Sequence, residues 1–443
     1  PIMRTLLLLI ALSLPLSAQT ITLLHLSDYH SHALPFYTDE GERGGIARAI
    51  GYLRAQKRAG ALVFSGGDTI NKGAPAWSDK YGCAEWPWFN GIVDAMAFGN
   101  HDADYGREAF DRCRATVSYP ILSANTAGFR GDSVFTVRGV RVGVFALAGA
   151  DFPKLVKVPG FTFGDPMAAA REAVRKLRDE ERADVVVMIG HQEVDDDYAT
   201  AQAVPGIDLI FGSHSHLKRD LTRIPGTNTT YISPSQYLTY VSRVELEVKD
   251  GRVASVRGGL VPVDASLTED RRIARRVARM QRALERDPKY SKLFTPIAKL
   301  DRPISTVALA KRTVDVMRNA VKADIALSTK SSFRSPLPAG PLTMELLLGA
   351  LPYENEIVVC TMSGAQLRRL LDAAGDDSFV SGPDSIENER NYRVATTDYL
   401  ANVAYRDAFA CEKTSSGLRV REELRKSLTA ESPSPRSAGR GSG

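Results

Sequence analysis

The sequence predicts an α/β protein: an open sandwich of buried strands and amphipathic helices, followed by one long helix and a second α+β region. Three observations carry this. Apolar runs of strand length recur through the first half, and each stops abruptly at a polar cluster. Helical patterns lie between some of them. A heavily charged segment with a narrow apolar stripe then precedes a new series of helices and strands. Short continuous apolar runs read as fully buried strands, and their alternation with helices argues for layered α/β architecture.

The 443 residues suffice for two or three domains. At the start, Arg4 precedes the apolar run Leu6 to Leu16, and the small residues Ser17 and Ala18 follow. This reads as an export signal, residues 1–18, cleaved near Ala18. A membrane anchor fits less well, because about 20 apolar residues are needed to span a bilayer. The expected location is the periplasm or the exterior, where Cys83, Cys113, Cys360 and Cys411 can pair in any of three ways.

From residue 19 to 267 the strand pattern dominates. "ITLLHLSDYH" stops at Asp28 and His30, "ALVFSGGD" at Asp68, and "AMAFGNHD" at Asn100 and His101. "VVVMIGH" stops at His191, and "LIFGSHSH" at His214 and His216. Ile46, Ala49, Ile50 and Leu53 share one helix face, as do Ala170, Val174 and Leu177. In "LTEDRRIARRVARMQRALERD", Ile273, Val277, Met280 and Leu284 form a single stripe. Glu269 and Asp270 stand where a helix N-terminus favours acids. A linker helix is expected from Thr268 to Asp287, within a linker of residues 268–295. Residues 296–430 form the second region. There "TVDVMRNAVKADIALS" predicts helix then strand, and "SGAQLRRLLDAAG" predicts a helix opened by Ser363 and closed by Gly375. The tail 431–443 is expected to be disordered.

Ligands of open α/β sheets bind outside the carboxyl ends of the strands. Five of the seven histidines, His30, His101, His191, His214 and His216, fall at such ends. Imidazole with carboxylate and without thiolate suits Zn, Mn, Fe, Ni or Co. Two ions need about eight ligand positions at four apiece. Asp28, His30, Asp68, Asn100, His191, His214 and His216 supply them if Asp68 bridges. The neutral Asn100 amide limits negative charge where an anionic substrate binds. His25, inside its strand, reads as a core or supporting residue, and His32 as a pocket-lining one. "EVDDDY" (Glu193 to Tyr198) reads as a solvated acidic loop. A net charge of +5 gives no reason to expect a nucleic-acid duplex as partner.

The order DxH (Asp28–His30), GGD (Gly66–Asp68), GNHD (Gly99–Asp102), His191 and GSHSH (Gly212–His216) resembles the calcineurin-like metallophosphoesterases. "GNHDADYG" is similar to the matching stretch of the secreted 5′-nucleotidase and UDP-sugar hydrolase family. "FRSPLPAGPLTMELLLGALPYENEIVVCTMSGAQL" and "YRVATTDYLA" are similar to that family's C-terminal substrate domain. The resemblance runs from about Ile21 to Leu428. It implies a four-layer α/β/β/α sandwich with a substrate domain behind the linker helix. It assigns Asp28, His30, Asp68 and His216 to one divalent metal, and Asp68, Asn100, His191 and His214 to the other. Catalysis is expected by in-line attack of a metal-held hydroxide on a nucleotide phosphate ester, with His101 facing the phosphoryl group and Asp104 orienting His101. For Asp102 a supporting role and plain solvation stand level.

The sequence departs from the family in its second half. Tyr353 and Tyr399 stand where two aromatic rings, commonly Phe, sandwich the base, and Arg334 matches a substrate-binding arginine. The glycine-rich "GGDG" is replaced by "NVAYRDAF", "LGN" reads "LAK" at Leu309 to Lys311, and a further arginine has no counterpart. "WSDKYGCAEWPWFNG" (Trp77 to Gly91) reads as a Trp-rich insertion beside the pocket. The alternatives are a 2′,3′-cyclic phosphodiesterase, a nucleotide-sugar pyrophosphatase, a thiosulfohydrolase-type relative or, in another class, a dead phosphatase fold used as a scaffold.

Overall fold

A computed structural model describes residues 18–73 and 76–430. The expected export signal, apart from Ala18, and the tail 431–443 lie outside the described residues. The chain divides into two compact units. The first comprises the residues up to Tyr29, Ile50–Thr69 and Trp86–Pro262. The second comprises His30–Ala49, Ile70–Glu85 and the chain from Val263 on.

The first unit contains two six-stranded sheets. In one, Gln19–Leu26, Leu62–Ser65, Ala95–Ala97 and Ile121–Leu122 run parallel, and Tyr240–Lys249 and Arg252–Pro262 add antiparallel strands beside Gln19–Leu26. In the other, Val140–Ala148, Val185–His191, Leu209–Gly212 and Thr230–Pro234 run parallel between antiparallel edge strands. The sheets share one core: Leu23, Phe64 and Val244 from the first pack with Val144, Val187 and Phe211 from the second. Strands buried on both faces explain the continuous apolar runs. The second sheet's outer face buries Phe145, Met188 and Ile210 against Ala170, Val174 and Leu177 of the expected helix face. All four parallel strands of that sheet, and all four of the first, point the same chain direction within their sheet, so their carboxyl ends collect the polar clusters.

The second unit holds a five-stranded mixed sheet: Ser378–Ser381, Ile325–Thr329, Asn391–Thr397, Glu356–Ser363 and Lys413–Arg419. Helices Thr306–Ala320 and Val420–Ala430 cover one face through Leu309, Val314, Met317, Leu424 and Leu428. Helix Gly364–Ala374 covers the other through Leu367 and Leu370. Its start is the predicted one, a reciprocal cap between Ser363 and Gln366, and Gly375 ends it. Cys360 is joined to Cys411, and none of the four cysteines is free.

The linker helix is shorter than expected, Arg271–Glu285. Asp270 caps it by accepting from the N–H groups of Arg272 and Ile273, each at 3.0 Å. Glu269 instead faces Arg48 at 3.5 Å. The Trp-rich segment is packing rather than pocket wall. Helix Ala76–Tyr81 lies on the linker helix, with Trp77 Nε1 donating to Gln281 Oε1 at 2.6 Å and the Tyr81 hydroxyl donating to the Met280 carbonyl at 2.5 Å. Lys80 pairs with Asp287. Trp86, Trp88 and Phe89 form a buried turn in the first unit.

Candidate metal centre

Each polar cluster begins where a parallel strand stops. Asp28 follows the strand ending at Leu26, Asp68 the one ending at Ser65, and Asn100 the one ending at Ala97; His191 ends its own strand, and His214 follows the one ending at Gly212. The backbone there is unusual. Asp28, His30, Asp68, His214 and His216 all have positive φ, between 49° and 65°. Such non-glycine residues are uncommon and cost of order 1–3 kcal/mol each, so they persist where surrounding structure forces them. Gly99 is required for close approach: a Cβ there would lie 2.2 Å from Asp68 Oδ1.

Two groups of donors result. Asp28, His30 and His216 form one and Asp68, His191 and His214 the other; within each group the ligand atoms lie within 4.8 Å of one another. His216 Nε2 is 3.4 Å from Asp28 Oδ1. His191 Nε2 is 3.4 Å from Asp68 Oδ2 and 3.2 Å from Asn100 Oδ1, which brings the predicted amide to the second group. Tautomers follow from the carbonyls, which can only accept. His191 Nδ1 donates to the Gly66 carbonyl at 2.5 Å, and His30 Nδ1 to the Ile70 carbonyl at 3.4 Å, so Nε2 is the ring atom that each has left to offer an ion.

The donor set fits divalent cations. Asp28 and Asp68 are buried carboxylates, 0% and 1% exposed. Buried charge of one sign demands a counter-charge. Burial opposes the His191 imidazolium, but the Asp68 and Asp28 carboxylates and the Gly66 carbonyl outweigh it and push its pKa up to about 10. That same negative field attracts a metal, and imidazole plus carboxylate without thiolate suits Zn- or Mn-type ions.

His101 stands against this cluster. Its backbone N–H donates to Asp68 Oδ1 at 2.8 Å, and its Nδ1 lies 2.8 Å from Asp104 Oδ2. Asp102, adjacent in sequence, is 1% exposed. Its carboxylate accepts from Thr69 N at 2.8 Å, Gly99 N at 3.0 Å and Asp68 N at 3.1 Å. It braces the loops that begin at Gly66 and Gly99 and is not a solvated group. Burial and the Asp68 charge push its carboxyl up to about 7, against the Thr69 and Gly99 N–H groups. His25 is a core residue: fully buried, stacked on Phe211 at 4.8 Å, with burial holding its pKa down to about 3. His32 Nδ1 lies 3.1 Å from the His30 carbonyl.

The acidic segment is neither a loop nor simply solvated: Val194–Ala203 is a helix, and Asp197 within it is fully buried. Glu193 Oε1 lies 3.7 Å from His214 Nε2. Asp151, which sequence reasoning passed over, is closer, with Oδ2 at 3.0 Å from the same nitrogen. The signal was present: "VRVGVFALAGAD" is a sixth apolar run ending at a carboxylate.

In the second unit, Arg334 donates from an η-nitrogen to the Tyr353 hydroxyl at 2.6 Å, with its guanidinium 5.6 Å from that ring's centroid. Tyr353 and Tyr399 are 45% and 50% exposed, which excludes core packing for both. Tyr399 leads into the π-helical turn Leu400–Ala404, where the sequence leaves the family's glycine-rich pattern.

Residues 21–218 match the family model for calcineurin-like phosphoesterases, and residues 296–384 match that for the 5′-nucleotidase C-terminal domain. The chain is 26% identical to protein UshA of Yersinia enterocolitica, over 82% of this chain and 77% of that protein. It is 25% identical to a 5′-nucleotidase of Vibrio cholerae, with the same coverage of 82% and 77%. Among solved structures, a 5′-nucleotidase precursor from Thermus thermophilus superposes with a TM-score of 0.71 at 21% identity, covering 93% of this chain and 96% of that one. The sulfate thiohydrolase SoxB of the same organism superposes with a TM-score of 0.73 at 22% identity, covering 93% and 94%. These last two likenesses concern the fold.

Proposed function

We propose that this metal-dependent phosphoric ester hydrolase acts on nucleotides with two divalent metals for which Asp68 would be a shared ligand, because residues 21–218 match the calcineurin-like phosphoesterases and residues 296–384 the 5′-nucleotidase C-terminal domain. The observation that supports it most is the pair of His/Asp clusters at the strand ends with the His101–Asp104 pair beside them. Asp28, His30, Asp68 and His216 would hold one ion; Asp68, Asn100, His191 and His214 the other. Two such ions activate a water and neutralise phosphate charge when bound.

The chain's own groups do the rest. Asp102 fixes the Asp68 and Gly99 backbones. Asp104 accepts from His101 Nδ1–H, so His101 as imidazolium presents Nε2–H to the substrate and donates it to the phosphoryl or leaving oxygen. Arg334, Tyr353 and Tyr399 select the ester, with the rings stacking on a base. We place residues 19–267 in the catalytic domain, 268–295 in the linker and 296–430 in the substrate domain.

Export is part of the proposal. The apolar run behind Arg4 supports it, and so does the Cys360–Cys411 bridge, since disulfides persist in oxidising compartments. Among the described residues no helix is long and apolar enough to cross a membrane.

The test is metal-reconstituted protein assayed on nucleoside monophosphates, a 2′,3′-cyclic nucleotide, a nucleotide sugar and an aryl phosphate, with elemental analysis in parallel. Two metals per chain and fastest turnover of a nucleoside monophosphate are expected. One metal at full activity would sink the bridged arrangement, and turnover of the aryl phosphate alone would sink the nucleotide assignment.

A further inference from the structure

Strand Val140–Ala148 carries no proposed ligand, yet its carboxyl end lies among those that do. It parallels the strand ending at His191, with Ala148 paired to His191 in register. Three residues on, Asp151 opens the short helix Phe152–Leu155, but its side chain does not cap that helix. It turns to His214 instead, with Oδ2 at 3.0 Å from Nε2, and the His214 side chain is 10% exposed. Phe152, 0% exposed, sets its ring against both histidines of the second cluster. The ring centroids lie 5.7 Å from that of His191, at 82°, and 6.1 Å from that of His214. Gly149 leaves room for the carboxylate in this position, because a Cβ there would lie 2.4 Å from Asp151 Oδ1.

We infer that the loop after this strand is a buttress for the second metal site, with Asp151 the positioning residue for His214. The reasoning is one of atoms. An imidazole that donates Nε2–H to a carboxylate carries its lone pair on Nδ1, so Asp151 selects the tautomer that offers Nδ1 to the metal. The hydrogen bond also fixes the ring's orientation, and Phe152 limits its rotation. Such outer partners are typically worth 10–100-fold in metal affinity. Glu193 competes weakly for the same N–H. It lies farther off, at 3.7 Å, its side chain is 57% exposed, and its other oxygen accepts from the Ser215 hydroxyl at 2.7 Å.

The inference rests on His214 being a ligand, and the experiment separates the two. Metal-stripped full-length protein is titrated with Zn²⁺ or Mn²⁺ alone against a chromophoric chelator, and the melting temperature of the stripped protein is recorded. Asp151→Leu is expected to weaken one of the two binding steps by about 10–100-fold, to leave the other unchanged, and to leave the metal-free melting temperature near that of the parent. Asp151→Asn keeps the shape and one acceptor; it should weaken the same step less, and it serves as the readout should the Leu variant not fold. Glu193→Gln should move neither step appreciably. His214→Ala should abolish the step that Asp151→Leu weakens. Loss of that step in His214→Ala with no change in either Asp151 variant overturns the positioning role. Two intact steps in His214→Ala overturn the ligand assignment itself. Equal weakening of both steps in Asp151→Asn would mark a general structural role and also overturn the proposal.

Discussion

His101 Nδ1 lies 2.8 Å from Asp104 Oδ2, three residues on, while the His101 backbone N–H is held by Asp68 Oδ1, also at 2.8 Å. One residue is thus tied by its main chain to a proposed ligand and by its ring to a separate carboxylate. His101→Ala should keep its metals yet lose rate by about 10²–10⁴-fold, the usual worth of a positioned proton donor. Asp104→Asn should lose less, because the ring stays but its tautomer is no longer enforced. Steady-state rates with elemental analysis on the same samples check this. Loss of metal in His101→Ala would show that the ring is a ligand.

Asp102 joins three backbone N–H groups, those of Asp68, Thr69 and Gly99, behind the cluster. Asp102→Ala leaves all three without that acceptor. Each buried donor stranded costs about 1–3 kcal/mol, and for a unit of this size each kcal/mol is about 2–4 °C of melting temperature. A clear fall in melting temperature and weaker metal binding are expected together. A variant that melts with the parent would show that water replaces the carboxylate.

The contrast between Asp102 and Asp104 marks where sequence legibility ends. Both follow the same strand, and both are carboxylates within "GNHDADYG". Sequence order marked the strand ends that carry the His/Asp clusters because each is local: an apolar run and then a polar stop. It gave no sign of which carboxylate turns inward, since that depends on loops 33 residues apart meeting around Asp102. Asp151 was hidden for the same reason, its partner His214 lying 63 residues on. Trp77 reads as pocket lining from composition, whereas its partner Gln281 is 204 residues away. The caps at Ser363 and Asp270 were legible because their partners are two or three residues off.

His25 gives a pH dependence with a definite sign. Burial holds its pKa down to about 3, against an ordinary 6.5. In the folded chain it is neutral, whereas the unfolded chain takes up a proton below pH 6.5. The unfolded state then binds more protons, so stability is full above pH 6.5 and falls as pH drops toward 3, by up to about 1.4 kcal/mol per pH unit for this one group. His25→Phe keeps a ring against Phe211 and removes the titration. Urea unfolding of the metal-free protein between pH 7 and 4 should show a shallower loss for the variant. Parallel curves would mean that His25 does not report acid unfolding.

The second unit makes the prediction on which substrate identity turns. Tyr353 and Tyr399 are half exposed, and Tyr353 is oriented by Arg334 through a 2.6 Å hydrogen bond. A phenylalanine could not make that bond, so here ring and guanidinium form one composite surface, apolar beside cationic. That suits a ligand with a flat base and a nearby anion. Tyr353→Ala removes a stacking face worth about 1–3 kcal/mol per base and takes the hydroxyl acceptor away from Arg334. Nucleotide turnover at low concentration should fall roughly 5–150-fold on the same scale, while a small aryl phosphate is turned over nearly as before. Tyr353→Phe isolates the hydroxyl: stacking remains, Arg334 loses this hydrogen bond, and the loss should be smaller and appear mainly in KM. Because the side chain is exposed, neither change should lower the melting temperature by more than a degree or two. Equal losses on nucleotide and aryl phosphate would move Tyr353 from base recognition to general support of the site. No loss on either would take the base away from this surface altogether.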